Sequence, residues 1–184
     1  MYIKPFEEAY RDDIRAIHMA TASEHARSDR AHGEFSLLMY CDEYLDHETA
    51  FMAMDENDER PKGYVLCAKD AKTWAENMQS YGEKIEALGE PYITRFREGL
   101  KEYDLAYEMY PAHLHIDILE EYTGKHLGSL LMKTLFEYLR KENVKGICLG
   151  VARANERAAG FYKAMGFEIL AESEGGWFMG KKLL

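Results

Sequence analysis

Apolar residues recur at helical spacing through "EEAYRDDIRAIHMATA", where Tyr10, Ile14, Ile17 and Ala20 fall on one stripe. A short strand, "MYIKPF", precedes that helix. "SEHARSDRAHGEF" is polar and broken and reads as a loop, and "SLLMYCDEYLDHETA" reads as a second helix. "AFMAMDENDERPKGYVLCAKD" predicts two strands around the polar turn "DENDERPKG". Between residues 71 and 110, Trp74, Met78, Tyr81, Ile85 and Leu88 form one helical stripe. After Pro91, Ile93, Phe96, Leu100, Tyr103 and Tyr107 form another. These aromatics either pack on the body of the protein or form a lid that walls an acceptor pocket.

The second half alternates between the two periods. "AHLHIDI" is a strand, and Leu127, Leu130, Leu131, Thr134, Leu135 and Tyr138 give the next helix its inner face. "GICLGV" is a buried strand, and "NERAAGFYKAMG" is a helix stopped by Gly166 as a C-cap. "FEILAES" and "WFMGKKLL" pair as a hairpin through Gly175 and Gly176. This alternation predicts a single α/β (α+β) domain over residues 1–184, with helices on both faces of a sheet and a helical insertion at about 71–110.

Composition narrows the function. With 184 residues, 47% hydrophobic and 30% charged, the chain has enough apolar sequence for a substantial core. A net charge of −10 argues against nucleic acid, whose binding rests on Lys and Arg at phosphates, and permits a cationic partner such as an amine. No run approaches the roughly 20 apolar residues of a membrane span. The three cysteines, Cys41, Cys67 and Cys148, sit in or beside apolar runs, which suggests reduced thiols in a cytoplasmic protein.

In "EEYTGKHLGSLLMK" a strand end runs into a loop with Gly124 and Gly128, and a helix follows. Unpaired N–H groups and the dipole at a helix start attract anions. Lys125 adds charge and Ser129 a hydroxyl. The lysine–serine ending of a P-loop is missing, and so are the three glycines of a dinucleotide fingerprint.

Two motifs point further. Thr123-Gly124-Lys125-His126-Leu127-Gly128 resembles the arginine or glutamine–x–x–glycine–x–glycine or alanine loop of the GCN5-related N-acetyltransferase (GNAT) family. Asn155, Ala158, Phe161, Tyr162, Gly166 and Phe167 resemble that family's following helix in full. Thr123 and His126 depart from the loop pattern. The resemblance covers about residues 110–184 and implies a GNAT-like, mixed and mostly antiparallel sheet. It implies acetyl-CoA or another acyl-CoA as the phosphate ligand. The N–H groups of Leu127, Gly128 and Ser129, with Gly124, Lys125 and His126 around them, would hold the pyrophosphate. The strand edge at Ile118 and Leu119 would pair with pantetheine. Asn155, beside Ala158 and Phe161, would meet the pantetheine or pyrophosphate region, and Tyr162 would protonate the leaving thiolate.

Acetyl transfer also needs a neutral amine, hence a base. Strand alternation puts His113, His115 and Asp117 on one face, and an imidazole pKa of about 6.5 suits proton removal. "AHLH" is loosely similar to the histidine pair of arylalkylamine acetyltransferases. "YPAHLHID" is similar to the acetyltransferase-like domains attached to some bacterial O-GlcNAc hydrolases. The same three residues also have the alternation of metal ligands, a minor reading with no further ligand cluster behind it. Glu24, His25 and His32 are candidates to line an acceptor site or to form a solvated loop. The expected activity is acetyl-CoA-dependent N-acetylation of a small-molecule amine by direct transfer, in a monomer or homodimer with no nucleic-acid or membrane partner. The alternative is a catalytically silent acyl-CoA-binding or protein-interaction module.

Overall fold

The structure, a computed structural model, describes residues 1–184. Runs of alternating or continuous apolar residues form the strands Tyr2–Pro5 (β1), Thr49–Met54 (β2), Pro61–Ala68 (β3), Ala112–Ile118 (β4), Gly146–Ala152 (β5), Glu168–Glu172 (β6) and Gly176–Lys182 (β7). They join one seven-stranded sheet in the order β1-β2-β3-β4-β5-β7-β6. Every pairing is antiparallel except β4 with β5. That parallel pair lasts only from Ala112↔Ile147 to His113↔Cys148. Beyond it, β4 continues along β3 to Ile118 and β5 continues along β7 to Ala152, so the sheet splits between them.

Two cores cover the two faces. One gathers Ile14, Tyr44, Met52, Tyr64, Leu66, Trp74 and Phe96. It lies under Arg11–Thr21 (α1), Arg30–Leu37 (α3), Glu43–His47 (α4) and the helices of residues 71–110. The other gathers Val65, Leu114, Leu131, Leu135, Ile147 and Tyr162 under Leu127–Lys141 (α8) and Glu156–Ala164 (α9).

The segment expected to be a loop is helical: Glu24–Ser28 (α2) precedes α3. Side-chain caps start both short helices, because Ser23 Oγ accepts from Ala26 N–H at 3.2 Å and Asp29 Oδ1 from His32 N–H at 2.7 Å. Ala26, Gly33 and Phe35 supply their buried side. The helix expected from Ser36 therefore begins at Arg30, and it runs through a π-helical turn, Leu38–Asp42, into α4.

Residues 71–110 are not two helices but a string: Ala71–Met78 (α5), Gly82–Glu86 (α6), Tyr92–Gly99 (α7) and two 3-10 turns. Gly89, at φ +76°, and Pro91 separate the halves. Tyr92, not Ile93, is the buried residue at the start of α7. The inner face of α8 is also rotated from the expected stripe. Met132, Phe136 and Leu139 are buried, while Leu130 is 41% exposed.

Candidate active site

The split between β4 and β5 opens a cavity of about 590 Å³. Its walls come from the end of β4 (Ile116, Asp117, Ile118), the loop before α8 and the first turns of α8 and α9. Gly124, His126, Leu127, Gly128, Ser129, Asn155, Ala158, Phe161 and Tyr162 all line it. Ten of the twelve cofactor-binding residues expected from the sequence are thus brought together, counting Ile118 with these nine.

Local backbone explains the loop. Gly124 is at φ +74° with nothing within 4 Å of a would-be Cβ, and His126 is at φ +61° as the N-cap of α8. Both positions are left-handed, a region in which histidine is several-fold enriched among non-glycine residues. The histidine that departs from the motif therefore keeps the turn a glycine would make. The first intrahelical bond of α8 is Leu130 N–H to His126 C=O at 3.1 Å, and no side chain caps the helix. The N–H groups of Leu127, Gly128 and Ser129 precede it and stay available at the cavity wall. A Cβ on Gly128 would stand 3.1 Å from the Phe161 ring and 3.3 Å from Ile118, so any larger residue there would have to push those side chains back by a few tenths of an ångström.

Two expected residues lie elsewhere. Leu119 gives its N–H to Lys62 C=O at 3.0 Å and packs against the first core. Its N–H is committed to β3, continuing the pairing one residue past Ile118. Lys125 sits over the Tyr122 ring at 4.7 Å and lines a separate shallow cleft. Among the residues the sequence reading did not name, Thr21, Tyr122 and Arg157 also line the cavity. Arg157 brings a cation to the first turn of α9; its place in "NERAA" was the available signal.

Of the four expected catalytic groups, Asp117 and Tyr162 meet in this cavity. Burial, then the nearby Asp117, push the Tyr162 phenol well above its ordinary pKa, so it holds its proton. Asp117 accepts a hydrogen bond from Tyr64 Oη. Tyr64 Oη lies 3.0 Å from His18 Nδ1, and His18 Nε2 lies 2.8 Å from Ser36 Oγ. This chain fixes the carboxylate from behind.

The two histidines stand outside the cavity. His113 is fully buried, stacked on Tyr103 at 3.9 Å, with Nδ1 2.9 Å from Tyr44 Oη. His115 packs between the Tyr40 and Tyr44 rings, each at 5.2 Å. Burial drives His113 well below the usual imidazole range and His115 to about 3, so both are neutral. His113 and Asp117 turn to different tyrosines, and no group of three His, Cys, Asp or Glu stands close enough to hold a metal. Glu24, His25 and His32 lie on α2 and α3. His25 and His32 pair ring to ring at 4.4 Å, and none of the three lines this cavity.

The model of the Acetyltransferase (GNAT) family matches residues 10–167. Among solved structures, the crystal structure of SsHAT is 22% identical with a TM-score of 0.83, covering 100% of this chain and 98% of that one. The ribosomal-protein-S18-alanine N-acetyltransferase from Escherichia coli is 14% identical with a TM-score of 0.58, covering 99% and 93%. A GNAT-family acetyltransferase from Listeria monocytogenes 4b F2365 is 13% identical with a TM-score of 0.62, covering 98% and 94%. At these identities the solved structures speak to the fold.

Proposed function

The chain belongs to the GNAT acetyltransferase family, and from that premise we propose that it moves an acetyl group from acetyl-CoA to the nitrogen of a small-molecule amine by direct transfer. One observation carries the reading. The free N–H groups of α8, the Tyr162 phenol and the Asp117 carboxylate line a single cavity at the split in the sheet.

In this reading the N–H groups of Leu127, Gly128 and Ser129, with Arg157 nearby, hold the pyrophosphate. The unpaired edge of β4 near Ile118 takes the pantetheine amide as a further strand would. Asn155 spends its Oδ1 capping α9, on Ala158 N–H at 3.1 Å, and turns its amide N–H₂ to the ligand. Asp117, held by the hydrogen bond from Tyr64, takes the proton that the ammonium must lose. Nitrogen then bonds to the acyl carbon, the carbon–sulfur bond breaks, Tyr162 donates its proton to the leaving thiolate, and the second proton that the nitrogen sheds on becoming an amide returns to the phenolate. His113 and His115, whose basicity burial lowers and which are walled by aromatics outside the cavity, hold β4 in place instead of accepting that proton. Three buried free cysteines fit residence in the cytoplasm. The motif "YPAHLHID" further supports a likeness to the domains attached to bacterial O-GlcNAc hydrolases.

A silent acyl-CoA-binding module is the second reading. It is motivated by Thr123, whose hydroxyl bonds back to Glu120 C=O at 2.7 Å and brings no positive charge. The two part on one assay. Acetyl-CoA is expected to raise the melting temperature and to release thiol when an amine is supplied. Tyr162→Phe should keep the melting shift and lose about a hundredfold in kcat, the usual weight of a general acid. A melting shift without thiol release on any amine selects the silent module, and no shift with millimolar acetyl-CoA removes both.

A further inference from the structure

Behind the Asp117 carboxylate stands a third buried histidine, on a line of hydrogen bonds that begins in the cavity. Pairing of β3 with β4 sets Tyr64 directly opposite Asp117, so the two side chains share one face of the sheet. α1 lies across these strands, and its buried residues Ile14, Ile17 and His18 bring the imidazole to that pair. Tyr64 Oη donates to Asp117 Oδ2 and stands 3.0 Å from His18 Nδ1. The carboxylate and the ring themselves are 3.8 Å apart, too far for a direct bond, so Tyr64 bridges them. Its single hydroxyl proton lies within reach of both. On the far side, His18 Nε2 lies 2.8 Å from Ser36 Oγ of α3. An imidazolium here has an oxygen facing each N–H, which is what a buried cation requires.

The other two buried imidazoles have no such line. Nε2 of His113 and Nε2 of His115 lack a hydrogen-bond partner, and His113 Nδ1 meets Tyr44, which does not border the cavity. Burial, opposed by Asp117 and Asp42 and aided by Arg15, lowers the His18 pKa from an ordinary imidazole value of about 6.5. The ring therefore rests neutral at pH 7, with one nitrogen bare. With Nε2–H donated to Ser36 Oγ, the bare nitrogen is Nδ1, and it faces Tyr64.

We infer that the acceptor's proton does not stay on Asp117 but passes through Tyr64 to His18 Nδ1, which holds it until the products leave. The inference rests on the transfer reading and adds two residues, Tyr64 and His18, that act through Asp117 without touching substrate. The ammonium N–H bond breaks and its proton bonds to Asp117. The Tyr64 hydroxyl, released by that carboxyl, turns to His18 Nδ1. One proton then moves from Asp117 to Tyr64 Oη as another moves from Tyr64 Oη to Nδ1. Asp117 ends as a carboxylate, Tyr64 as a phenol and His18 as an imidazolium between Tyr64 Oη and Ser36 Oγ. The restored carboxylate stands beside the nitrogen as addition to the acyl carbon makes it positive, and its charge favours that state. After the products leave, the same steps in reverse return the proton to water in the cavity.

Nitrogen NMR of histidine-labelled free protein reads the tautomer without any acceptor. The His18 signals, identified by their loss in His18→Asn, are expected to show Nδ1 bare and Nε2 protonated; a proton on Nδ1 overturns the inference. Thiol release is then followed in single turnovers of bound acetyl-CoA, with the fastest of a panel of primary amines that includes tyramine, spermidine and lysine amide. His18→Asn keeps an amide within reach of Tyr64 but cannot take the proton. It should slow the step about a hundredfold, the weight of a positioned proton acceptor, and leave the melting shift with acetyl-CoA unchanged. The solvent deuterium effect should involve fewer protons in this variant than in wild type, a change that a purely structural role would not produce. Tyr64→Phe, which keeps the buried ring, should show the same two changes and decides the matter if His18→Asn does not fold. An unslowed variant, or a slowed one with the wild-type proton count, overturns the inference and leaves the transfer reading standing. Wild type that binds acetyl-CoA but releases thiol with no amine sinks the transfer reading, and the relay with it.

Discussion

At the scale of single residues, the loop before α8 places two neighbouring positions in left-handed backbone for different reasons. Gly124 has open space around it, so a methyl group there meets no atom and its cost is backbone strain alone. Gly124→Ala is therefore expected to lose about 1 kcal/mol, measured by urea unfolding. His126 already bears that strain at φ +61°, so His126→Gly should lose nothing in the same measurement, the relieved strain offsetting the looser unfolded chain. A loss of 1 kcal/mol or more on placing glycine at 126 would mean the imidazole makes a contact that its geometry does not record. The motif departure at this position thus concerns a side chain, not the path of the chain.

At the scale of elements, residues 71–110 raised the choice between a lid and a packed layer. Trp74 is 1% exposed and shares the first core with Ile14, Tyr44 and Tyr64, while Met78, Tyr81, Ile85, Phe96 and Tyr103 join it. Trp74 also lies edge-on to His113 at 4.7 Å. Such a layer cannot swing without exposing the core. Trp74→Ala is expected to cost about 3–5 kcal/mol of global stability, seen as one lowered unfolding transition. A lid would instead tolerate the change or melt separately. The helical stripes were legible from spacing alone. The breaks at Gly82 and Gly89–Pro91 were harder to place, because a stripe does not reveal how often its helix is interrupted.

At the scale of the whole molecule, buried titratable groups oppose one another. His18, His113 and His115 have lowered pKa values from burial, so the unfolded chain binds protons that the native protein refuses. Their contribution is present above about pH 6.5 and is lost as pH falls from there toward the folded values, about 3 for His115. Glu43, buried with neither oxygen bonded, is raised to about 8, and Glu48 to about 7, both chiefly by burial. Their contribution is full below the ordinary carboxyl value and is lost as pH rises through 7 to 8. Three histidines outweigh two carboxyls on the acid side. Stability should therefore peak between about pH 6 and 7 and fall in both directions, a profile that denaturant titrations across pH would measure. Glu43→Gln should flatten the alkaline limb, and an unchanged limb would show that Glu43 is not its source.

Periodicity and turn chemistry in the sequence by themselves determined the strands, α1, α8, α9 and the hairpin at the end, because these depend on neighbours within one element. The helix of Asn155 to Gly166 and the loop before α8 determined the family, because each carries its residue types in a short, fixed register. Strand alternation also put His113, His115 and Asp117 on one face correctly. Only the tertiary structure decided which of them reaches the cavity. β4 leaves β5 after His113, so residues early on the strand are sealed under Tyr44, Trp74 and Tyr103, while Asp117 at its end opens onto the split. The rotation of α8 by one position and the placement of His18 behind Tyr64 were likewise set by long-range packing. Each joins residues tens of positions apart, and local pattern holds no record of such distances.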